Sequence, residues 1–360
     1  MATPRFRKAL DTIPAYKAGR PPSAGLARSF KLSSNENPFP PLPGVVERAT
    51  EAARTMNRYP DMGVSALHAA IAERYDVQVD QVASGAGSVA VFYHLLQALC
   101  SDGDEVVYAW RSFEAYPIAV RLAGATDVTV PLTANARHDL PAMLSAVTDR
   151  TKAVVICSPN NPTGPSVHRD ELEDFLDAVP SGVLVAVDEA YREFVTDPET
   201  PDALELARGR DNVVVLRTFS KAYGLAGLRV GFGLGPKPVA EAIRKCALPF
   251  GISSVAQAAA VASLESEPAL LDRVGALVAE RARVRDALAD QGWAVPEAQG
   301  NFVWLALGAD STAFADACEQ AGVSVRPFDG DGVRVTIGEP EADDLFVGVA
   351  KAWRAEHDRG

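Results

Sequence analysis

Val213-Val214-Val215-Leu216-Arg217-Thr218-Phe219-Ser220-Lys221-Ala222-Tyr223-Gly224-Leu225-Ala226-Gly227-Leu228-Arg229 joins four consecutive apolar residues to a turn of hydroxyls and glycines with a lysine in it. The apolar run is short and mostly β-branched, which reads as a strand buried on both faces. Glu105 to Tyr108, Ala153 to Cys157 and Val183 to Val187 share its texture, while Ser88 to Leu99, Leu140 to Val147 and Asp170 to Ala178 have helical spacing. Such alternation predicts an α/β domain with a mostly parallel central sheet flanked by helices, over residues 45–252. Each strand-to-helix junction then opens a loop at the carboxyl edge of the sheet, where α/β folds hold their ligands.

On either side the texture changes. Residues 1–44 are rich in Pro, Gly and Ser and carry little apolar period, which predicts an extended arm with one or two helical turns. Residues 253–360 open on a long charged helical stretch reaching Asp290. Asn301 to Leu307, Val323 to Pro327 and Val333 to Ile337 follow as strands with helices between them, the pattern of a second, smaller α+β domain.

With 360 residues and 48% hydrophobic content, the chain can bury one large core or two modest ones. A net charge of -12 argues against general nucleic-acid binding, which needs clustered cations to neutralise phosphates. The basic opening from Met1 to Lys8 is not followed by the apolar stretch of a signal peptide, and no run approaches the roughly 20 apolar residues of a membrane span. The expected compartment is therefore the cytoplasm, with no membrane partner. Cys100, Cys157, Cys246 and Cys318 are scattered without metal-ligand spacing, so free thiols and no metal site are expected.

Several junctions carry groups with chemical potential. Lys221, once desolvated, would have a lowered pKa and become a nucleophile toward an aldehyde; a lone lysine usually reads as a solvated loop residue, a reading that the flanking hydroxyls and glycines weaken. Asp188 closes an apolar strand in Val187-Asp188-Glu189-Ala190-Tyr191. A buried carboxylate needs a partner, either a ligand cation or a structural ion pair. In Ser158-Pro159-Asn160-Asn161-Pro162-Thr163-Gly164 two prolines bracket asparagines in a rigid turn. Gly85-Ala86-Gly87-Ser88 lies between a short strand and a helix, as a plain tight turn or as a cradle for phosphate. An aromatic at the Trp110 to Pro117 junction suits either the core or stacking on a flat ligand. No Walker lysine motif or full dinucleotide fingerprint is present.

Taken in order, these segments resemble the fold type I aminotransferases that depend on pyridoxal 5'-phosphate (PLP), in particular the group that includes histidinol-phosphate aminotransferase. The resemblance spans essentially the whole chain and implies a large PLP-binding domain with a smaller α+β domain. It implies that Lys221 forms the Schiff base with the cofactor, and that Ala86, Gly87, Ser88, Ser220 and Arg229 surround its phosphate. A guanidinium suits phosphate because it makes bidentate, charge-assisted bonds. Asp188 would pair with the pyridine nitrogen, Asn161 and Tyr191 would contact the phenolic oxygen, and Phe113 would stack on the ring where histidinol-phosphate enzymes usually have tyrosine. Gly332 to Gly338 presents Arg334, the match to the arginine that grips the substrate carboxylate, with Asn161 beside it. Leu32 to Pro38 resembles the arm that closes over the site, with Tyr16 as a lid residue. Asn57-Arg58-Tyr59-Pro60-Asp61 matches a segment whose tyrosine reaches the phosphate of the neighbouring subunit, which implies a homodimer.

The implied activity is a ping-pong transamination in which Lys221 shuttles a proton. Ile13 to Tyr16, Gly85 to Ser88 and Trp110 to Pro117 look closer to the aromatic-amino-acid (phenylalanine) branch, so the expected reaction converts aromatic L-amino acids and 2-oxoglutarate to aromatic 2-oxo acids and L-glutamate. The alternative is histidinol-phosphate aminotransferase, for which Arg326 is the candidate phosphate ligand. A phosphoamino-acid decarboxylase of the same fold would use the same lysine.

Overall fold

The computed structural model describes residues 4–13, 15, 16, 19 and 28–357. Its strands are β1 (Phe30–Lys31), β2 (Val82–Gly85), β3 (Glu105–Trp110), β4 (Thr126–Pro131), β5 (Thr151–Cys157), β6 (Leu184–Asp188), β7 (Val213–Thr218), β8 (Gly231–Leu234), β9 (Phe302–Leu305), β10 (Val323–Ser324), β11 (Arg326–Phe328) and β12 (Gly332–Thr336). Seven of them form one sheet in the order β2-β8-β7-β6-β5-β3-β4. β8 is antiparallel to both neighbours and the remaining pairs are parallel.

The central strands are valine-rich because helices cover both faces. Val107 and Val154 face one core and Val106 and Val155 the other, as the twofold period of a strand requires. Two strands of the large sheet escaped the reading above. β4 is an edge strand with mixed exposure that ends on Pro131, so it lacks the continuous apolar signature. β8 reads Gly-Phe-Gly-Leu because it crosses the start of the Ser88–Leu99 helix: a Cβ on Gly231 would lie 2.2 Å from the Ser88 nitrogen. The expected single helical stretch after residue 252 is two helices, Ser254–Glu265 and Glu267–Asp290, parted at Ser266 where Pro268 enters the first turn of the second. Likewise Val323 to Pro327 divides into β10 and β11, which join different sheets.

The smaller sheet runs β11-β12-β9, all antiparallel. The arm is tied to this part of the molecule: β1 pairs with β10, and the Thr336 nitrogen donates to the Leu32 carbonyl at 2.9 Å. Residues 33–37 are thereby carried from the small sheet to the carboxyl edge of the large one. The expected helical turn of the arm is the 3-10 turn Lys8–Asp11. No helix among the described residues is long and apolar enough to cross a membrane.

Candidate active site

The carboxyl ends of β2, β3, β5, β6 and β7 deliver Ala86 to Ser88, Phe113, Asn161, Asp188 and Lys221 to one cavity of about 700 Å³. The arm adds Tyr16, Ser33 and Ser34, and the small sheet adds Arg326, Phe328 and Arg334. Tyr191, Ser220 and Arg229 also line it, so every site residue expected from sequence is assembled here except Tyr59. Tyr59 is 82% exposed and stacks on Phe250 with ring centroids 4.6 Å apart.

At one end lies a cup. Gly87, at φ +85, precedes the Ser88–Leu99 helix, whose free amides point outward from the first turn. Arg229 closes the cup: its Nη1 donates to the Ser220 hydroxyl at 3.2 Å, and a Cβ on Gly87 would lie 2.6 Å from its Nη2. The glycine is required by its dihedral, and a Cβ there would also push the Arg229 guanidinium out of the cup. Amides, a hydroxyl and a guanidinium around a small space suit a phosphate.

Lys221 stands in the middle. Its Nζ donates to the Ser34 carbonyl at 3.1 Å and lies 5.9 Å from the Tyr191 ring centroid. Desolvation, and then the nearby Arg334, push its pKa down to about 7. Such an amine is substantially neutral at physiological pH and can attack an aldehyde.

Asp188 ends β6 as a buried residue. Its Oδ2 accepts from the Tyr116 hydroxyl at 2.8 Å, while its Oδ1 is buried without a partner. Desolvation raises its pKa to about 6, against the opposing Tyr116 hydrogen bond. A buried acceptor of this kind fits a protonated ring nitrogen. Tyr191 is held by the arm: its hydroxyl accepts from Asn35 Nδ2 at 2.9 Å, and Asn35 is in turn fixed through its own nitrogen to the Thr336 hydroxyl at 2.9 Å.

Arg334 is buried in β12. Its Nη1 donates to Asn161 Oδ1 at 2.6 Å and its Nη2 to the Ser33 carbonyl at 2.7 Å, both neutral acceptors. Its Nε has no partner, and among the described residues no carboxylate lies within ion-pairing distance. This cation is therefore ready for an anion from outside. Arg326 differs, because its Nη2 is ion-paired with Glu114 Oε2 at 2.6 Å. Asn160, next to Asn161, faces away and clamps the turn through Ser112, Thr163 and the Arg111 carbonyl.

Tyr116, Glu114, Phe328 and Asn35 had not been singled out as site residues. Glu114 and Tyr116 follow Phe113 within the Trp110 to Pro117 junction, and Asn35 lies in the Leu32 to Pro38 arm segment, so position supplied a signal that residue type alone did not.

A cup for phosphate, an amine for an aldehyde, an acceptor for a ring nitrogen and a cation for a carboxylate together define a PLP site built for amino acids. The chain belongs to the class I and II aminotransferases, whose family model matches residues 27–347, and its cofactor is pyridoxal 5'-phosphate. It is 59% identical over 354 residues to the aromatic amino acid aminotransferase of Streptomyces coelicolor, covering 98% of this chain and 99% of that one. The aromatic amino acid aminotransferase of Thermobifida fusca is 56% identical over 350 residues, covering 97% of each. Among solved structures, the PLP complex of histidinol-phosphate aminotransferase from Sinorhizobium meliloti superposes with a TM-score of 0.88 at 27% identity, over 99% of both chains. An aspartate aminotransferase variant of Thermus thermophilus, with a TM-score of 0.84 at 23% identity over 97% of this chain and all of the other, shares the fold.

Proposed function

We propose that the protein transfers the amino group of aromatic L-amino acids to 2-oxoglutarate, giving aromatic 2-oxo acids and L-glutamate. The observation that carries this reading is the near-full-length relationship to aromatic amino acid aminotransferases at 59% identity. The pairing of Arg326 with Glu114 agrees with it, since Arg326 is the candidate ligand for the substrate phosphate in the histidinol-phosphate alternative.

Bound PLP supplies an aldehyde that links to amines and a ring that accepts negative charge from the substrate's α-carbon. Ala86, Gly87, Ser88, Ser220 and Arg229 would hold its phosphate, and Asp188, its carboxylate fixed by Tyr116, would hold its ring nitrogen. Asn161 and Tyr191 would hold the phenolic oxygen, and Phe113 would offer a face to the ring. Lys221 would be the amine that takes up the aldehyde and, when free, the base placed to accept a proton from the substrate's α-carbon, a duty suited by a pKa of about 7. Arg334 binds the α-carboxylate, with Asn161 keeping its guanidinium in place. Tyr16 covers the cavity mouth from the arm.

The active unit is a homodimer in the cytoplasm. Tyr59 and Phe250, flanked in sequence by exposed Met56, Met62 and Leu248, form an apolar patch that a second copy would cover, and Leu248 lines the cavity. Tyr59 then reaches the neighbouring active site. Residues 45–252 make the large domain, 253–360 the small one, and residues 1–44 an arm belonging with the latter, a division supported by the β1–β10 pairing.

The test is the absorption spectrum of the PLP-loaded protein with L-phenylalanine and with histidinol phosphate. Rapid conversion to the amine form of the cofactor by L-phenylalanine, and little by histidinol phosphate, is expected. The opposite preference would overturn the substrate assignment, and stoichiometric release of carbon dioxide would make the protein a decarboxylase.

A further inference from the structure

Three guanidinium groups surround one buried ring of the small sheet. The Cζ atoms of Arg111, Arg326 and Arg334 lie 5.5, 5.5 and 5.8 Å from the Phe328 centroid. Arg111 is ion-paired with Asp331, and Arg326 with Glu114 at 2.6 Å. Arg334 has only neutral partners. Three cations and two carboxylates leave one positive charge, on the arginine that faces the cavity without an anion.

Arg326 stands directly opposite Arg334 across the β11–β12 pair, and both line the cavity. A substrate whose α-carboxylate rests on Arg334 therefore has Arg326 within reach of any second anion it carries. Glu114 decides whether that second cation is available. It comes from the loop after β3, 212 residues away, and its carboxylate is the charge that Arg326 is ion-paired with.

We propose that Glu114 is a specificity-determining residue: by holding Arg326 in an ion pair beside the carboxylate site, it favours amino acids with one carboxylate and an uncharged aromatic side chain over those with a second anionic group. The proposal rests on the aminotransferase reading above and adds the residue that sets its preference. An aromatic side chain packs against Phe328 without disturbing the pair. A dicarboxylate, as in the glutamate half of the reaction, must draw Arg326 away from Glu114 or bury its second carboxylate unpaired. Its binding is thereby weakened, while the chemistry at the α-carbon is unaffected.

The experiment compares PLP-loaded wild type with Glu114→Gln and Arg326→Gln in single-turnover half-reactions with L-phenylalanine and with L-glutamate, followed by the cofactor's absorption. Rate constant and apparent dissociation constant are measured for each. Glu114→Gln is expected to tighten L-glutamate relative to L-phenylalanine by about tenfold, the scale of one charge-assisted hydrogen bond, through the dissociation constants and not the rate constants. Arg326→Gln leaves Glu114 as an unpaired negative charge and is expected to move the same ratio in the opposite direction. A ratio in either variant equal to that of wild type overturns the proposal, as does a change confined to the rate constants. Wild type that converts with histidinol phosphate and not with L-phenylalanine would instead overturn the underlying substrate assignment, so the two failures are distinct.

Discussion

Asp188→Asn should stabilise the cofactor-free protein while disabling it as an enzyme. The carboxyl titrates near 3.8 when unfolded and about 6 in the folded site, where desolvation outweighs the hydrogen bond from Tyr116. Below pH 3.8 the group is protonated in both states and costs nothing; above about pH 6 it is ionised in both, and the buried charge costs its full amount. The difference between those two values corresponds to about 3 kcal/mol. An amide in its place removes the charge but leaves an N–H where Oδ1 now lacks a partner, which returns about 1 kcal/mol. The net gain at about pH 8 is then about 2 kcal/mol, or about 3 °C in Tm for a chain of this length. At about pH 4.5 most of the cost has already been titrated away, so the advantage should shrink by about 2 kcal/mol. Thermal melts of PLP-stripped wild type and variant at the two pH values provide the measurement. An advantage that is absent at the higher pH, or equal at both, would refute the argument that Asp188 is a buried unpaired charge awaiting a cation.

Lys221→Ala should abolish turnover while leaving the phosphate cup able to hold PLP non-covalently; undiminished amino transfer in a stopped assay would remove Lys221 from the mechanism. Gly87→Ala forces a Cβ to within 2.6 Å of Arg229 Nη2 at φ +85, so the Kd for PLP measured by dialysis should rise at least about tenfold, the worth of one charged contact to phosphate. Glu189→Gln breaks a fully buried pair with Arg217, 2.7 Å apart, and leaves the guanidinium to Asp202 alone; denaturant melts should record a loss of about 3 kcal/mol. Unchanged stability there would mean that Asp202 compensates by itself.

Much of the large sheet could be read from the chain because its central strands are buried on both faces and its ligand loops follow them directly. The pattern of Val213 to Leu216 followed by Lys221 is local, and so is the Gly85 to Ser88 turn. What could not be read was set by distance in sequence. The Glu114–Arg326 pair joins residues 212 apart, and Ser33 meets Arg334 across 301. No spacing rule reaches so far. Edge strand β4 and glycine-rich β8 were illegible for a different reason: the first lacks a continuous buried face, and the second is shaped by the helix it touches. Ser266, where one expected helix becomes two, carries a weak signal in the proline two residues on.

The site and its surroundings treat buried charge in opposite ways. Glu189, Arg217 and Asp202 satisfy one another, and the first of them is the immediate neighbour of Asp188. Asp188 itself has a bare Oδ1, Arg334 a bare Nε, and Lys221 an amine whose proton is weakly held. In the proposed function each incomplete group meets one complement: a ring nitrogen for Asp188, a carboxylate for Arg334 and an electrophilic aldehyde for Lys221. Packing elsewhere must offset the cost of keeping them unpaired. Ligand binding then releases that cost, so affinity for PLP and stability of the fold are two readings of the same free energy.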